Sequence, residues 1–269
     1  MPIKISVITI SFNNKEGLES TLKNVISQDY NDYEYIVIDG GSKDGSKELL
    51  EKHSENITYW VSEPDNGIYN ALNKGIKAAK GEYLFFLNAG DLFINKSSLR
   101  NAAKHVCDED IVYFDIVVKG QGQDFVKKCP AELDFNFFYK DTLPHQASFM
   151  KTEAFTKIGL YDESLKIVAD WKWYMIGICF SELTYKKINE TFSIFFLDGI
   201  SSSNQEIVDK ERQSILSTLP AILLNTAKRI DEQNAEIKDL KEFQNKFNHL
   251  KKYRLVKLLD SLRLIKIPK

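Results

Sequence analysis

The sequence predicts an α/β fold in which a mixed, mainly parallel sheet is flanked by helices and followed by a helical extension. The first observation is that apolar runs of strand length alternate with helix-like segments from Ile5 to Asn88. Alternation of this kind indicates βαβ units, whose strands run parallel. The second observation is a change to helical composition from Asp209 onward, which predicts that the chain continues as helix beyond the sheet.

Four apolar runs in the first part of the chain have the length of buried strands, and three segments between them have apolar residues three or four positions apart. The predicted strands are 5–10, 33–39, 57–63 and 82–88, and the predicted helices are 15–28, 46–54 and 67–80. Glycines mark the turns between these elements at Gly40, Gly41, Gly67 and Gly81. Because ligands bind beyond the carboxyl ends of the strands in such sheets, the residues just after each strand are the candidate site.

The middle of the chain follows a looser pattern. The residues 110–120 and 184–199 have strand composition, 151–164 predict a helix followed by a loop, and 169–182 predict a buried helix. This part is therefore expected to be more irregular than the first.

The extension has apolar residues three, four or seven positions apart. They are Ile230, Ile237, Leu240, Phe243, Phe247 and Leu250. This spacing predicts a long amphipathic helix or a short coiled coil, and it suggests a homodimer formed through the C-terminal helices. We therefore divide the chain into an α/β domain, 1–205, and a helical extension, 206–269.

Composition excludes several classes of protein. In the 269 residues, 43% hydrophobic and 28% charged residues are typical of a soluble protein with a sizeable core, so disorder is not expected. Three widely spaced cysteines argue against a disulfide framework and a zinc site. We expect neither a signal peptide nor a membrane span, because no basic segment precedes the first strand and no apolar run approaches ~18 residues. These features favour a cytoplasmic location.

The charge is unevenly distributed along the chain. The net charge is −2, but residues 246–269 carry eight Lys and Arg against one Asp, or +7, so residues 1–245 sum to −9. Basic residues surround a face of leucines at 255, 258, 259 and 262. This tail is either a solvated helix or dimer seam, or a peripheral contact with anionic lipid on the inner face of the cytoplasmic membrane. The acidic body and the absence of a nucleic-acid motif argue against a nucleic-acid partner.

Four predicted strand ends carry polar or aromatic residues. They are "SFNN" at 11–14, "DGGSKDGS" at 39–46, "EPDNG" at 63–67 and "NAGD" at 88–91. Phe12 either stacks on a base or fills the core, and Asp39 either accepts a hydrogen bond from a base or ribose or orders a turn. The buried run that ends in Asp91 places a carboxylate where a metal or a ligand can reach it, or simply forms a turn. No G-x-G-x-x-G and no P-loop motif is present.

These motifs together resemble the inverting glycosyltransferases of family 2, which have the GT-A fold, a Rossmann-like fold for nucleotide-diphospho-sugar transferases. The resemblance covers residues 3 to about 200 and rests on "ISVITISFNN", "YEYIVIDGGSKDGS", "SEPDNGIYNALNKGIKAAKGEYLFFLNAGD", "PHQASFM" and "ADWKWYM" in that order. Within the family, the chain is similar to bacterial enzymes that assemble O-antigen, capsule or exopolysaccharide.

The resemblance implies a role for each candidate residue. The nucleotide-binding residues would be Ser11, Phe12, Asn13, Asp39, Asp65, Gly67 and Asn73. The residues near the donor sugar or acceptor would be Asn88, His145, Gln146 and Trp171. We expect one of Trp171 and Trp173 to fill the core, and the "LDGISS" segment, 197–202, to form a flexible lid.

The metal site departs from the family pattern. The usual motif is Asp-x-Asp, whereas this chain has Asn88 and Asp91 with Ala89 and Gly90 between them. The resemblance makes Asp91 the ligand of Mg²⁺ or Mn²⁺, with fewer protein carboxylates than usual. A Mg²⁺ ion that keeps most of its waters and binds one carboxylate and phosphate oxygens is chemically reasonable.

The chemistry that the resemblance implies needs a base. Inversion by direct displacement requires a carboxylate opposite the diphosphate to accept the proton of the attacking hydroxyl. Asp170 matches the catalytic aspartate of the family, and its alternative role is that of an N-cap.

The predicted function is transfer of a sugar from a nucleoside diphosphate sugar, expected to be UDP-linked, to a hydroxyl of a glycan or a lipid-linked oligosaccharide in bacterial surface polysaccharide synthesis. One alternative is a sugar-1-phosphate nucleotidyltransferase, although its glycine-rich, Arg-containing loop is missing after the first strand. The other alternative is a catalytically inactive interaction protein, which the altered Asp-x-Asp motif suggests.

Overall fold

A mixed sheet organises the first part of the molecule. The computed structural model describes residues 4–120, 122, 124–197 and 204–250. Within them the strands are β1 (Ile5–Ser11), β2 (Tyr33–Asp39), β3 (Tyr59–Ser62), β4 (Tyr83–Phe86), β5 (Leu92–Phe93), β6 (Ile111–Lys119), β7 (Phe125–Lys127), β8 (Ser148–Lys151) and β9 (Tyr185–Phe196). They form one nine-stranded sheet in the order β3-β2-β1-β4-β8-β6-β9-β5, with β7 paired to β6.

The sheet changes direction in its middle. The strands β3, β2, β1 and β4 are parallel, whereas β8 is antiparallel to β4 and β6 is antiparallel to β8. In the parallel half, Ser11 is in register with Asp39, and Asp39 is in register with Ser62. Three strand ends therefore meet at one edge of the sheet, which is the edge where ligands bind in open α/β sheets.

Helices flank the sheet and continue beyond it. They are α1 (Lys15–Ile26), α2 (Ser46–Lys52), α3 (Ile68–Ala78), α4 (Ser98–Ala102), α5 (Phe135–Lys140), α6 (Thr152–Ile158), α7 (Ala169–Phe180), α8 (Gln205–Leu216) and α9 (Ala221–Leu250). Short 3₁₀ helices occupy Ser54–Asn56 and His145–Ala147. The second of these leads directly into β8.

Close packing of α3 on the sheet brings its first turn to the strand ends. Gly75 allows this approach, because a Cβ built there would lie 2.5 Å from Cγ2 of Ile8 in β1. The apolar face of α3, including Leu72 and Ile76, is buried against the sheet. The amino end of α3 is thereby held beside the carboxyl ends of β1 and β2.

The predicted α/β fold is confirmed, and the differences concern short or interrupted elements. The parallel strands and the helices between them occur where the apolar periodicity places them. The sequence analysis missed β5, β7, β8, α4 and α5, because segments of two to six residues are too short to show a period. The long helix predicted from Asp209 is two helices, since Pro220 lies between α8 and α9.

Two compact units divide the chain, Met1–Thr218 and Leu219–Lys269. The boundary predicted at residue 205 falls at the beginning of α8, which belongs to the first unit. In the second unit, α9 exposes Ile222, Ile237, Leu240 and Phe243.

Several predictions lie outside the described residues. The basic tail after residue 250 and the predicted lid loop beyond Leu197 belong to this group. Where the structure does describe helices, none is long and apolar enough to cross a bilayer.

Candidate active site

The carboxylate of Asp39 lies completely buried at the end of β2. Its oxygens accept hydrogen bonds from the backbone N–H of Ser42 at 3.0 Å, from Oγ of Ser42 at 2.5 Å and from Oγ of Ser62 at 2.6 Å. The carboxylate therefore orders the loop after β2. Sequence reasoning missed the two serines, which lie 3 and 23 positions beyond Asp39.

Three residues, Phe12, Gly40 and Asp65, form a wall beside Asp39. The ring of Phe12 is 63% exposed, although core filling was the alternative prediction for it. A Cβ at Gly40 would lie 2.4 Å from Oδ2 of Asp65 and 3.2 Å from Cδ2 of Phe12, so Phe12 and Asp65 flank the Gly40 backbone closely. Asp65 also accepts a hydrogen bond from the N–H of Gly67, whose φ of 113° favours glycine.

The loop after β1 connects this wall to the loop after β4. Asn13 donates its backbone N–H to Oγ of Ser42 and accepts from the N–H of Lys43. Asn14 donates from Nδ2 to the carbonyl of Ala89 at 3.1 Å while its Oδ1 caps α1. Ser11 is buried, and its hydroxyl has no hydrogen-bond partner among the described atoms.

A tight turn holds Asn88 and Asp91 at the end of β4. The N–H of Asp91 donates to the carbonyl of Asn88, and Thr21 of α1 binds the turn through Gly90 N–H and the Asp91 carbonyl. Asp91 is 5% exposed. The Asn88 amide nitrogen lies 3.1 Å from Nε2 of His145, whereas its Oδ1 is buried without a partner in the described part of the chain.

Asn88 and Asp91 fit a divalent cation that is bound by only a few protein ligands. In the residues that the structure covers, no group of three His, Cys, Asp or Glu side chains is placed to hold a metal ion. The unsatisfied Oδ1 of Asn88 is the kind of oxygen that a cation satisfies, and the Asp91 carboxylate lies in the same turn. Such a pair suits Mg²⁺ or Mn²⁺ only if phosphate oxygens and water complete the coordination.

Asp170 lies in the first turn of α7, and its carboxylate is held from two sides. Oδ1 accepts a hydrogen bond from the Tyr69 hydroxyl at 2.9 Å, and Oδ2 lies 3.1 Å from Nδ1 of His145. Its side chain is 15% exposed. The N-cap position is Val168, so Asp170 is not the N-cap that the sequence allowed.

The imidazole of His145 connects Asp170 to Asn88. Nδ1 carries the proton that is donated to Asp170, because an ionised carboxylate only accepts, and Nε2 lies 3.1 Å from the Asn88 amide nitrogen. The carboxylate is thus one imidazole ring and two hydrogen bonds away from the turn that contains Asp91.

The surroundings of Asp170 keep it ionised. Burial raises the pKa of this carboxyl, but the hydrogen bond and charge of His145 and the hydrogen bond from Tyr69 outweigh burial, so the pKa is below its usual value. The N-terminal end of α7 favours the same negative charge. At neutral pH the carboxylate is therefore able to accept a proton.

Tyr69 was not predicted as a site residue. Its ring lies on the buried side of α3, where an aromatic residue looks like core, but its hydroxyl contacts both Asp170 and the carbonyl of Ile167. Burial and the nearby Asp170 charge raise the pKa of Tyr69 well above its usual value, so it stays protonated. A single hydroxyl proton can serve the ionised carboxylate, or the Ile167 carbonyl when Asp170 is protonated.

Two predicted site residues have packing roles in the structure. Asn73 is 2% exposed, and its amide is used by the backbone of Tyr161 and by Glu163, so it does not face the cleft. Trp171 is 1% exposed, donates Nε1–H to the Phe138 carbonyl and is covered on one ring face by Arg212. The sequence analysis placed Trp171 near the donor sugar or acceptor. In the structure, the ring face that Arg212 covers is not open to a sugar.

A cavity of about 320 Å³ opens beside the carboxylate of Asp170. Its walls include His145 and Gln146, which the sequence analysis placed near the donor or acceptor. The remaining walls come from β6, β7, β9, α7 and α8 and from the loops that precede His145 and α7. The cavity thus leaves room for a small molecule beside the Asp170 carboxylate.

Glu211 of α8 holds the segment that precedes α7. Its carboxylate accepts hydrogen bonds from the backbone N–H groups of Lys166, Ile167 and Val168 at 2.7, 3.1 and 3.3 Å. These three groups directly precede the helix that carries Asp170. Glu211 therefore supports the start of α7, and with it Asp170, without contacting Asp170.

We expect Glu211→Ala to lower the free energy of unfolding by about 1–3 kcal/mol, because three backbone donors lose their acceptor. The turnover number should fall as well, since the start of α7 loses its support. Thermal unfolding followed by circular dichroism measures the first effect. The exposed Glu206 of the same helix provides the control: if Glu206→Ala were as destabilising, the loss would reflect helix α8 in general rather than this cap.

Solved structures share this arrangement of sheet and helices. Residues 1–349 of S. aureus TarS in complex with UDP-GlcNAc align with a TM-score of 0.61 at 18% identity, covering 74% of this chain and 60% of that one. The mannosyltransferase PcManGT from Pyrobaculum calidifontis, in complex with GDP-Man and Mn²⁺, aligns with a TM-score of 0.60 at 15% identity, covering 98% and 85%. The fold is therefore that of the GT-A glycosyltransferases.

Sequence comparison gives the family. The model of glycosyl transferase family 2 matches residues 6–158. An uncharacterized glycosyltransferase of Mycobacterium tuberculosis is 38% identical over 179 residues, which are 64% of this chain and 67% of the relative. A PGL/p-HBAD biosynthesis glycosyltransferase of Mycobacterium bovis is 28% identical over 212 residues, 77% of this chain and 81% of the relative. The chain belongs to glycosyl transferase family 2 and is a glycosyltransferase.

Proposed function

We propose that the enzyme transfers a sugar from a nucleoside diphosphate sugar, with UDP as the expected nucleotide, to a hydroxyl of a glycan or a lipid-linked acceptor, with inversion at the anomeric carbon. The observation that carries this proposal is the Asp170 carboxylate, which is ionised, held by Tyr69 and His145, and one imidazole ring away from Asn88. A base on one side of a sugar and a diphosphate site on the other is the arrangement that direct displacement requires.

The proposed reaction is a single displacement. The acceptor hydroxyl oxygen forms a bond to the anomeric carbon while the bond from that carbon to the diphosphate oxygen breaks. The hydroxyl proton goes to Asp170, and the electron pair of the broken bond leaves with the nucleoside diphosphate. Because Tyr69 and His145 each donate to one carboxylate oxygen, each oxygen retains a lone pair that can accept this proton.

The nucleotide half of the site is assigned to the wall of Phe12 and Asp65. Phe12 offers an exposed ring face for a nucleobase, and the loop containing Asp39 is ordered beside it. The diphosphate is assigned to the turn of Asn88 and Asp91. These two residues would hold Mg²⁺ or Mn²⁺, and a bound cation would neutralise the charge that develops on the leaving diphosphate.

We expect Phe12→Ala to raise the dissociation constant for UDP by about ten- to a hundred-fold, because stacking of a base on an aromatic ring contributes ~1–3 kcal/mol. Stability should not change, since the ring is mostly exposed. Calorimetric titration of UDP in the presence of Mg²⁺ measures the effect. Tyr59, an exposed aromatic residue at the opposite end of the strands, is the control, and equal losses for Tyr59→Ala and Phe12→Ala would remove Phe12 from the base site.

A thermal-shift screen of UDP-, GDP- and dTDP-sugars with Mg²⁺ or Mn²⁺ tests the proposed function. A donor that binds only the native state raises the melting temperature in proportion to the logarithm of its concentration. We expect stabilisation by one nucleotide series and little by the others. No stabilisation by any nucleotide with either metal would support the inactive interaction protein, whereas family membership already argues against a nucleotidyltransferase.

The acceptor is expected to belong to the cell surface. The relative named for PGL/p-HBAD biosynthesis supports this expectation, whereas the UDP-GlcNAc complex of TarS supports only a UDP-linked donor. Bacterial polysaccharide synthesis, contact with anionic membranes and a homodimer through the C-terminal helices remain proposals. Liposome co-sedimentation of the protein with and without residues 246–269 tests the membrane contact. If the contact exists, the shortened protein should bind less to anionic vesicles.

A further inference from the structure

The cavity beside Asp170 has mainly apolar walls, with two cations, Lys127 and Arg212, among them. The apolar residues include Ile116, Val118, Leu143, Ile167, Val168 and Phe195. The cation without an ion pair among the described residues is Arg212, since the other one, Lys127, pairs with Asp141 at 2.6 Å. An occupant that fits these walls combines an apolar portion with an anionic group.

The guanidinium of Arg212 is held by two contacts, but some of its N–H groups have no hydrogen-bond partner among the described residues. It lies over the ring of Trp171, with its central carbon 5.0 Å from the ring centroid, and one Nη donates to the carbonyl of Lys140 at 3.2 Å. Its Nε is buried without a partner, and no described residue accepts a hydrogen bond from its second Nη. An unsatisfied buried donor is costly, and it is usually explained by an unrecorded partner.

The unused edge of Arg212 has the shape of an oxyanion site. The Nε and an Nη of a guanidinium form a planar fork that binds a carboxylate or a phosphate through two parallel hydrogen bonds. The stacking on Trp171 holds this fork in one orientation. The same cavity contains Asp170 and His145, so a group bound by Arg212 belongs to a molecule that also reaches the base.

We propose that this cavity is the acceptor site and that Arg212 binds an oxyanion of the acceptor, so that the natural acceptor is an anionic amphiphile. The inference rests on the proposed function, because it assigns Asp170 as the base. It adds the chemical class of the acceptor: a hydroxyl, an apolar portion and a carboxylate or phosphate within one molecule. Lys127 is paired with Asp141, whereas Arg212 feels the charges of Asp141, Asp170 and Asp209 without an ion pair to any described residue, so we assign the anion to Arg212.

Calorimetric titration of the full-length protein with three small probes tests this assignment. Phenyl β-D-glucoside is the neutral probe, phenyl β-D-glucuronide adds a carboxylate to the same body, and phenyl phosphate supplies the phosphate. We expect at least one anionic probe to bind about ten-fold or more tightly than the glucoside, because hydrogen bonds to charged groups are the stronger ones. Which anionic probe binds more tightly distinguishes a carboxylate from a phosphate.

Substitutions assign the preference to Arg212. Arg212→Gln should remove the preference for the anionic probe while the affinity for the glucoside changes by less than about two-fold, and Arg212→Lys should retain only part of the preference because it lacks the fork. Arg229→Gln, at an exposed position of α9, should leave the preference unchanged. Thermal unfolding of each variant confirms that it is folded.

Equal binding of the three probes by the wild type, no measurable binding of any of them, or a preference that survives in folded Arg212→Gln would each overturn the proposal. The wild-type comparison decides the matter even if a variant does not fold. UDP titration of the same samples separates the two levels of inference. UDP binding without an anion preference refutes only the acceptor class, whereas no nucleotide binding refutes the proposed function.

Discussion

Asp170→Asn should reduce the rate of sugar transfer by about a thousand-fold or more while the affinity for the nucleotide changes by less than about two-fold. A positioned general base contributes ~10²–10⁴-fold to the rate, and the amide of asparagine cannot accept the proton of the acceptor hydroxyl. The substitution preserves the size of the side chain. Its oxygen can still accept from one of Tyr69 and His145, so the cleft should remain formed. Initial-rate kinetics with saturating donor, together with UDP titration, measure both quantities.

The matched control for Asp170→Asn is Asp162→Asn. Asp162 lies eight positions earlier, pairs with Lys172 at 2.7 Å and does not contact His145 or Tyr69 among the described contacts. We expect this control to lose some stability but to retain transfer. Substantial turnover by Asp170→Asn, with donor affinity intact, would show that another group or water accepts the proton and would refute the base assignment.

Asp91→Asn should abolish the metal-dependent part of nucleotide binding, which we expect to be about a hundred-fold in affinity. Without the carboxylate, the turn after β4 offers only neutral oxygens to a divalent cation, and the charge of the diphosphate is no longer balanced. Binding of UDP in the presence of a chelator should be nearly the same in the variant and the wild type. Titration of UDP with Mg²⁺, Mn²⁺ and chelator gives the three values needed.

A second substitution, with the opposite expected effect, tests the metal prediction further. Asn88→Asp restores a second carboxylate to the turn and should increase the affinity for the cation, with the opposite sign to Asp91→Asn. The exposed Asp108 supplies a control, since Asp108→Asn removes the same charge elsewhere in the same unit. If Asp91→Asn kept a normal metal response, the cation would have to be bound by other groups or not be needed.

The fold was predictable because its strands are buried on both faces. The runs from Ile5 to Ser11 and from Tyr33 to Asp39 are almost completely buried, so each appears in the sequence as a mostly apolar segment with few polar residues. The helices between them have one apolar face, which gives the period of three to four. The two-residue strand β5 and the three-residue β7 have no period of their own. Their positions depend on pairing with distant strands, which local pattern does not encode.

The sequence names candidate residues for the site but does not show how their side chains are connected. Asn88, His145 and Asp170 are separated by 57 and 25 positions in sequence, and only folding brings them into one hydrogen-bonded chain. Tyr69 was missed because its position on the buried face of α3 looks like core in a helical pattern. Asp39 was singled out correctly as a residue at a strand end, but its complete burial by Ser42 and Ser62 depends on the loop conformation. Arg212 had no signal in the sequence beyond its charge.

The reversal of strand direction between β4 and β8 separates two kinds of recognition. The groups assigned to the departing nucleotide come from the parallel strands, whereas His145 and the apolar cavity belong to the antiparallel side and to α7 and α8. Among the described residues, two side-chain contacts join the halves at the candidate site, the Asn88–His145 hydrogen bond and the hydrogen bond from Tyr69 to Asp170. Substitutions on the antiparallel side can therefore create preferences for new acceptors without disturbing the leaving group. Enzymes built on this plan are free to diversify their products while their supply of activated sugar stays the same.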